Sequence, residues 1–553
     1  MPKNMHKIME EKLYSRNFKG FGMDMNPVVS LGAGLIVLIF SAFALFNLEQ
    51  ANAVFVSVKS AIVGNFDWLF ILSSNFFIGV SLFIAFSKLG KVRIGGVNSR
   101  PEFSNFAWYS MLLSAGMGIG LMFWAVGEPL YHSEFLPPIF SSQDAMTQSL
   151  ATTFFHWGFH PWGIYALISL ALAFFAYNKK LPLSLRSVFY PLLKDKIFGF
   201  WGDLIDILAV VACLFGLATS LGLGVQQINS GLTYLFGIES SVTMQVMLIA
   251  VITGIATISV VSGIDKGVKF LSELNIKMAF IFMVVVLVLG PTAFILKTFS
   301  NSLGLYLNDF VQASFFISTG ESTWQASWSV FYLAWWISWS PFVGMFIARV
   351  SKGRTIREFV LAVLIVPSLL SFMWLSVFGG TAIHINQLFD GALFSTVQNN
   401  LPVALFEMVS YLESPMLEGF IRTGLSILGT LLVISFFVTS SDSGSLVVDN
   451  ITSGGKLDSP VPQRVFWACM EGFIAAVLLI IGGQEALSAL QTAVISTGLP
   501  FAIILILMSF MLIDSVRKSY HKQREIKQRD HFEEMIDEFD IVTEADTEES
   551  DVA

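Results

Sequence analysis

Residues Ser114–Pro129 read SAGMGIGLMFWAVGEP, and Gly116, Gly118 and Gly120 stand inside a stretch otherwise apolar and membrane-length. Each glycine weakens a helix by about 1 kcal/mol relative to alanine, so three in five residues predict a helix that unwinds. In lipid every amide and carbonyl must find a partner, and unwound backbone survives only where it lines a cavity and meets a ligand or ion. The stretch therefore points to the passage of a membrane transporter.

The rest of the chain agrees with that environment. Of 553 residues, 54% are hydrophobic and only 13% charged, with a mean hydropathy of +0.70, a balance that excludes a soluble globular core. Runs long enough to cross the roughly 30 Å hydrocarbon layer begin near Pro27, Phe66, Ser104, Thr147, Leu204, Ser241, Ile276, Trp324, Phe359, Thr423, Val465 and Leu490. They predict an all-α polytopic membrane protein with twelve transmembrane helices over residues 27–514, preceded by a short segment 1–26 and followed by a charged tail 515–553.

Short cytoplasmic loops collect Lys and Arg, and the basic clusters alternate as twelve spans require. They fall at Lys3 to Lys19, Lys88 to Arg100, Lys179 to Lys196, Lys266 to Lys277, Arg349 to Arg357, Lys456 with Arg464, and Arg517 to Arg529. Only Lys59, Lys297 and Arg422 stand outside the pattern. Both termini are thus expected on the cytoplasmic side of the cell membrane. Residues 1–25 are polar and carry no cleavable signal, so the first span is expected to direct insertion. Cys213 and Cys469 both sit in apolar segments, which argues against a disulfide.

From Ser515 onward six basic residues face twelve acidic ones, net −6 of the formal −8. The basic residues Arg517, Lys518, Lys522, Arg524, Lys527 and Arg529 adjoin the last span, where each attracts anionic lipid by about 1 kcal/mol. Asp530 to Asp551 is acidic and reads as disordered. Residues 301–322 are too polar to span, yet place Leu303, Leu307, Phe310, Val311 and Phe315 at helical spacing, the pattern of a helix lying in the interface. Five spans counted from Ser104 precede it and five follow, as two repeats after a two-span preface would.

In span four, FFHWGFHPWGIY puts Trp157, Trp162 and Tyr165 within an arc of about 140° at 100° per residue, with Pro161 able to bend the helix between them. In span eight, AWWISWSPF supplies Trp335, Trp336 and Trp339 on one face. Two aromatic walls on different helices form a box. Such a box answers a quaternary ammonium, which carries charge but no N–H to donate, so ring faces must bind it. The amides of Gly116, Met117, Gly118 and Gly120 supply donors for a carboxylate on the same ligand.

Span ten carries FFVTSSDSGS, with Thr439, Ser440, Ser441 and Ser443. Neighbouring hydroxyls often bond back to their own helix; together with carbonyls released by a broken helix at Met117 they also suit sodium, a hard cation. His156 and His160 are four apart on one helix, with Glu128 and His132 nearby in sequence, the raw material of an intramembrane metal centre. No HExxH pattern accompanies them, and no nucleophile, phosphate loop or nucleotide motif points to catalysis or a cofactor. Nucleic acid is not an expected partner.

The blocks GMGIGLMFWAVGEP, FFHWGFHPWGIY, FYLAWWISWSPFVGMFIARVSKGRTIREF and FFVTSSDSGS together resemble the betaine/choline/carnitine transporter family, over about Pro27 to Asp514. The resemblance implies a leucine-transporter-type fold of two inverted five-helix repeats, here 104–297 and 324–514, after two extra helices in 27–90. It also implies a homotrimer. Matched by motif, the family's aromatic box falls on Trp157, Trp162, Tyr165 and Trp336, with Trp335 and Trp339 by the substrate path. The main sodium site falls on the carbonyls of Ser114, Met117 and Phe436 and the hydroxyls of Thr439 and Ser440.

Choline-type members tend to carry Asp at the position of Gly120, a countercharge for a ligand without its own carboxylate. Glycine there favours a zwitterion, with glycine betaine ahead of other betaines, ectoine or a dimethylsulfonio compound. The resemblance thus implies sodium symport of a betaine by alternating access, the alternative being a proton-coupled or exchange carrier for choline or carnitine. Two positions depart from the family pattern. Leu333 stands where betaine-type members often show Trp, and Cys213 and Leu217 stand where two threonines would hold a second sodium, unless Thr219 or Ser220 compensates.

Overall fold

The computed structural model describes residues 5–116, 118–141, 144–262, 267–320, 323–412, 419–456 and 458–550. Eleven helices among them are long and apolar enough to cross a bilayer, and a bent pair makes a twelfth. Span one is Pro27–Phe46, span two Leu48–Phe86, span five Phe200–Phe236 and span six Val242–Ser262. Span seven is Gly267–Leu289, span nine Ile356–Leu388, span ten Phe420–Thr452 and span eleven Val461–Gly482. Span eight runs Thr323–Val350 and span twelve occupies Ala486–Glu525. The only sheet among the described residues is a two-stranded hairpin, Phe18–Gly20 with Met23–Met25. The chain is an all-α, multi-pass membrane protein.

Burial sorts the spans. About nine-tenths of the apolar window of span four and 83% of those of spans five and eight lie inside, against 39% for span six and 28% for span seven. The outer helices expose stripes such as Val251, Ile255 and Ile258, which in lipid cost nothing because hydrocarbon is as apolar as they are. Span one starts where the sequence says it should: Asn26 Oδ1 accepts from the amides of Val28 and Val29 at 3.0 and 3.3 Å, and Pro27 fills the first turn, where no amide is needed.

Four expectations change. Span two begins at Leu48, well before Phe66, and runs 39 residues; no proline interrupts it, so the helix extends beyond its most apolar window. Lys59 is consequently no loop charge, since its Nζ donates to Gln491 Oε1 of span twelve at 2.8 Å. The helix expected over 301–322 instead covers Thr292–Asn308, with a short turn Phe310–Ser314 after it; Pro291 sets its start, and 321–322 lie outside the described residues. The acidic tail, read as disordered, continues span twelve as helix to Ser550. Charges four apart support such a helix, as Lys518 and Asp514 do at 2.7 Å.

The fourth change bears on function. Span four is not one helix bent at Pro161: Ala145–Trp157 ends at Gly158 (φ −99°, ψ −124°) and Phe159–Ala173 begins anew. Pro161 sits in the first turn of the second half, where its missing amide is no loss. A Cβ at Gly158 would stand 2.6 Å from the Phe154 carbonyl oxygen and 2.6 Å from the Phe372 ring, so the break is fixed by a glycine.

At one end of the bundle the hairpin straps the two halves together. Arg16 grips Asp203 of span five through two bonds of 3.0 and 2.7 Å, while Asn17 donates to the Ser453 carbonyl at 3.0 Å and Asp24 pairs with Lys456.

A candidate substrate box between spans three, four and eight

Span three is broken where its glycines predict. Asn105–Gly116 and Ile119–Glu134 meet at 64°, and Gly118 between them is fully extended (φ −170°, ψ −174°). Met117 lies outside the described residues. Gly120 lies in the first turn of the second half, and a Cβ there would come within 2.9 Å of the Cη2 atoms of both Trp157 and Trp335. The glycine run therefore does two things: it frees backbone donors, and it lets the main chain lie against the indole rims.

Span eight presents a stack. The planes of Trp335 and Trp336 differ by 12° with centroids 4.9 Å apart, and Tyr332 lies nearly parallel to both, 17° from Trp336 and 20° from Trp335. Trp157 meets this stack edge-on, 4.9 Å from Trp336 and 5.4 Å from Tyr332. Trp162 and Tyr165 form a second T-shaped pair at 5.3 Å, on the far side of the Gly158 break. The single arc expected for Trp157, Trp162 and Tyr165 thus divides in two, because the break resets the helical phase. Trp339 packs on Phe342 at 5.2 Å, and its amide passes 3.1 Å from the place of a Cβ on Gly216 in span five.

Tyr332 does not stand out in the sequence, although it lies four residues before Trp336 and so on the same helix face. Glu128 is the second residue whose part in the box only the structure reveals. Its Oε2 accepts from Trp157 Nε1 at 2.8 Å and from the Tyr332 hydroxyl at 2.6 Å. Its Oε1 lies 2.6 Å from His156 Nδ1, whose Nε2 is 3.0 Å from Ser329 Oγ, and the His156 carbonyl accepts from Trp336 Nε1 at 3.0 Å.

The expected ion ligands are engaged within the fold. Thr439 Oγ1 donates to the Ser435 and Phe436 carbonyls at 3.0 and 3.3 Å and accepts from Asn275 Nδ2 at 3.1 Å. Ser440 and Ser114 are half-buried. Beyond them sit two carboxylates to which the sequence motifs assign no role, Asp442 and Glu471, both buried. Ser259 donates to one at 2.7 Å and Ser441 to the other at 3.3 Å, yet Asp442 Oδ1 and Glu471 Oε1 have no hydrogen-bond partner among the described residues. An acid inside a span is the signal that could have found them.

The family profile described as BCCT, betaine/carnitine/choline family transporter, matches residues 28–521. The chain belongs to the betaine/carnitine/choline transporter family. It is 47% identical over 505 residues to glycine betaine transporter 1 of Vibrio parahaemolyticus, covering 90% of this chain and 95% of that one. A glycine betaine/proline/choline/ectoine transporter of the same organism is 46% identical over 516 residues, covering 91% and 89%. The glycine betaine transporter of Acinetobacter baylyi is 42% identical over 510 residues, covering 91% of this chain and 75% of that protein.

As a betaine/carnitine/choline-family member the chain is a transporter, not an enzyme. The histidine pair weighed as a metal centre is separated: the Gly158 break falls between its members, and His160 turns to Asn75 Oδ1 at 3.1 Å. Glu128, His132 and His156 do bring ligand atoms within 4.8 Å of one another. The Glu128 Oε1 that faces both histidines already lies 2.6 Å from His156 Nδ1, so a metal there would have to displace that contact, while the bonds from Trp157 and Tyr332 fall on Oε2.

Proposed function

We propose that this transporter imports a quaternary-ammonium zwitterion, glycine betaine first, by sodium symport with alternating access. The observation that carries the reading is the position of Gly120 against Trp157 and Trp335. Aromatic faces meet the trimethylammonium group, and the unwound glycine backbone adjoining them offers amides to the carboxylate that the ligand brings. The names of the Vibrio and Acinetobacter relatives agree with that ligand.

In this reading sodium binds through the carbonyls of Ser114, Met117 and Phe436 and the hydroxyls of Thr439 and Ser440, clasping span ten against the same broken backbone that faces the substrate. Each inward sodium contributes about 2.3 kcal/mol per 100 mV of membrane potential. Cytoplasmic termini follow from the basic clusters, a homotrimer from the resemblance, and anionic-lipid contact from Arg517 to Arg529.

Uptake of labelled glycine betaine into proteoliposomes tests this, with an inward sodium gradient or with potassium or a proton gradient in its place. Sodium-dependent accumulation supports it, and uptake indifferent to sodium removes the ion site. Choline, proline and ectoine serve as competitors, because one relative's name carries all three.

A further inference from the structure

Glu128 has no place in the site as the sequence motifs draw it, yet both aromatic walls hang on it. It is fully buried, and span four reaches it through Trp157 Nε1 while span eight reaches it through the Tyr332 hydroxyl. Trp336 is tied in one step further on, through the main chain of His156.

We propose that Glu128 is the buried anion that positions and polarises the aromatic box, giving it a preference for a cationic head group over a neutral one of the same shape. The inference rests on the quaternary-ammonium reading of the box. Two effects follow from one carboxylate. An indole N–H or phenol O–H donating to an anion pushes electron density into its ring, and a richer ring face attracts a cation more strongly. The charge itself also acts across a water-poor interior, where screening is weak.

Two histidines face Glu128 on its Oε1 side. His156 Nδ1 lies 2.6 Å from Oε1, and its Nε2 lies 3.0 Å from Ser329 Oγ. His132 Nε2 stands 3.5 Å from Oε1, beyond a good hydrogen bond, and neither of its nitrogens has a hydrogen-bond partner among the described residues. Lys and Arg make no ion pair with Glu128 among the described residues. Glu128 is a positioning residue: it acts on the ligand through Trp157, Tyr332 and Trp336.

The test compares two ligands on the purified full-length transporter by tryptophan fluorescence or calorimetry. Glycine betaine and 3,3-dimethylbutyrate have the same outline and the same carboxylate, but the second carries a carbon where the first carries N⁺. Glu128→Gln keeps the shape of the side chain and removes its charge. Betaine Kd should rise about tenfold while the isostere's moves under about threefold, as expected when only the cation–π attraction is weakened. A purely structural role would weaken both ligands alike. Trp157→Phe, which keeps a ring but cuts the bond to Glu128, should shift the preference in the same direction and serves if Glu128→Gln fails to fold. An unchanged betaine-to-isostere ratio in folded variants overturns the proposal while leaving the betaine reading intact. An unmodified protein that does not separate the two ligands overturns the betaine reading itself, and this proposal with it.

Discussion

Gly120 and Trp157 approach so closely that a Cβ on the glycine would lie 2.9 Å from the indole Cη2, nearer than real Cβ contacts come. The contact joins the broken third span to the first half of the fourth, and Trp335 closes on the same glycine from span eight. A side chain at this position cannot be added unless both indoles, or the main chain itself, give way.

Gly120→Ala should therefore raise the KM for betaine uptake about tenfold, from overpacking of roughly 1–3 kcal/mol, and Gly120→Asp should raise it further. Uptake kinetics at matched membrane expression decide it. An unaltered KM for Gly120→Asp would show that the rims of Trp157 and Trp335 do not bound the substrate.

Trp336→Leu removes the middle face of the span-eight stack and the bond from Nε1 to the His156 carbonyl. A desolvated cation–π contact is worth about 2 kcal/mol, so the betaine KM should rise tenfold or more. Unchanged uptake would sink the box assignment.

Thr439→Ala with Ser440→Ala should increase the sodium concentration for half-maximal uptake by about a hundredfold or more, the loss of two bonds to a charged group at about 1.5–3 kcal/mol each. Thr439→Ala also strips Asn275 Nδ2 of its acceptor, so Asn275→Ala supplies the control. If that control alone reproduces the sodium shift, the effect belongs to packing and not to ion ligation.

The Asp24–Lys456 tie predicts an acid-sensitive strap. Burial works to raise the Asp24 pKa, but the hydrogen bonds from Lys456 and Asn17 and the charges of Lys456 and Lys19 outweigh it and hold the carboxyl below its ordinary value. A depressed carboxylate stabilises the fold fully above its unfolded pKa of about 3.9 and loses that contribution as pH falls through the lower folded value. Hydrogen exchange of residues 18–25 should stay slow from neutral pH down to the ordinary carboxylate range and quicken in stronger acid. Asp24→Asn should exchange faster at neutral pH and show no such acid step.

Much of the architecture was legible because hydropathy is a local property. Pro27, Asn26 and the apolar run behind them specify span one without help from elsewhere, and each of the twelve apolar runs corresponds to a helix or, in spans three and four, to a broken pair of helices. Gly116, Gly118 and Gly120 announced the break in span three for the same reason. Boundaries were less legible: span two reaches back to Leu48 because a helix ends at a stop signal and not where hydropathy falls. In span four the sequence pointed to Pro161 as the bend, and only the closeness of Phe372 and of the Phe154 carbonyl puts the break at Gly158 instead.

The sequence by itself determined that the chain crosses the membrane, which segment unwinds, and which aromatic residues are available, since all three depend on residues near one another in the chain. The tertiary structure decided the grouping. It set Trp157 against Trp336 and away from Trp162, turned His156 from His160 to Glu128, and hung Trp157 and Tyr332 on one carboxylate. Those partners come from three spans far apart in sequence, and their meeting depends on helix packing that periodicity within a single helix does not encode.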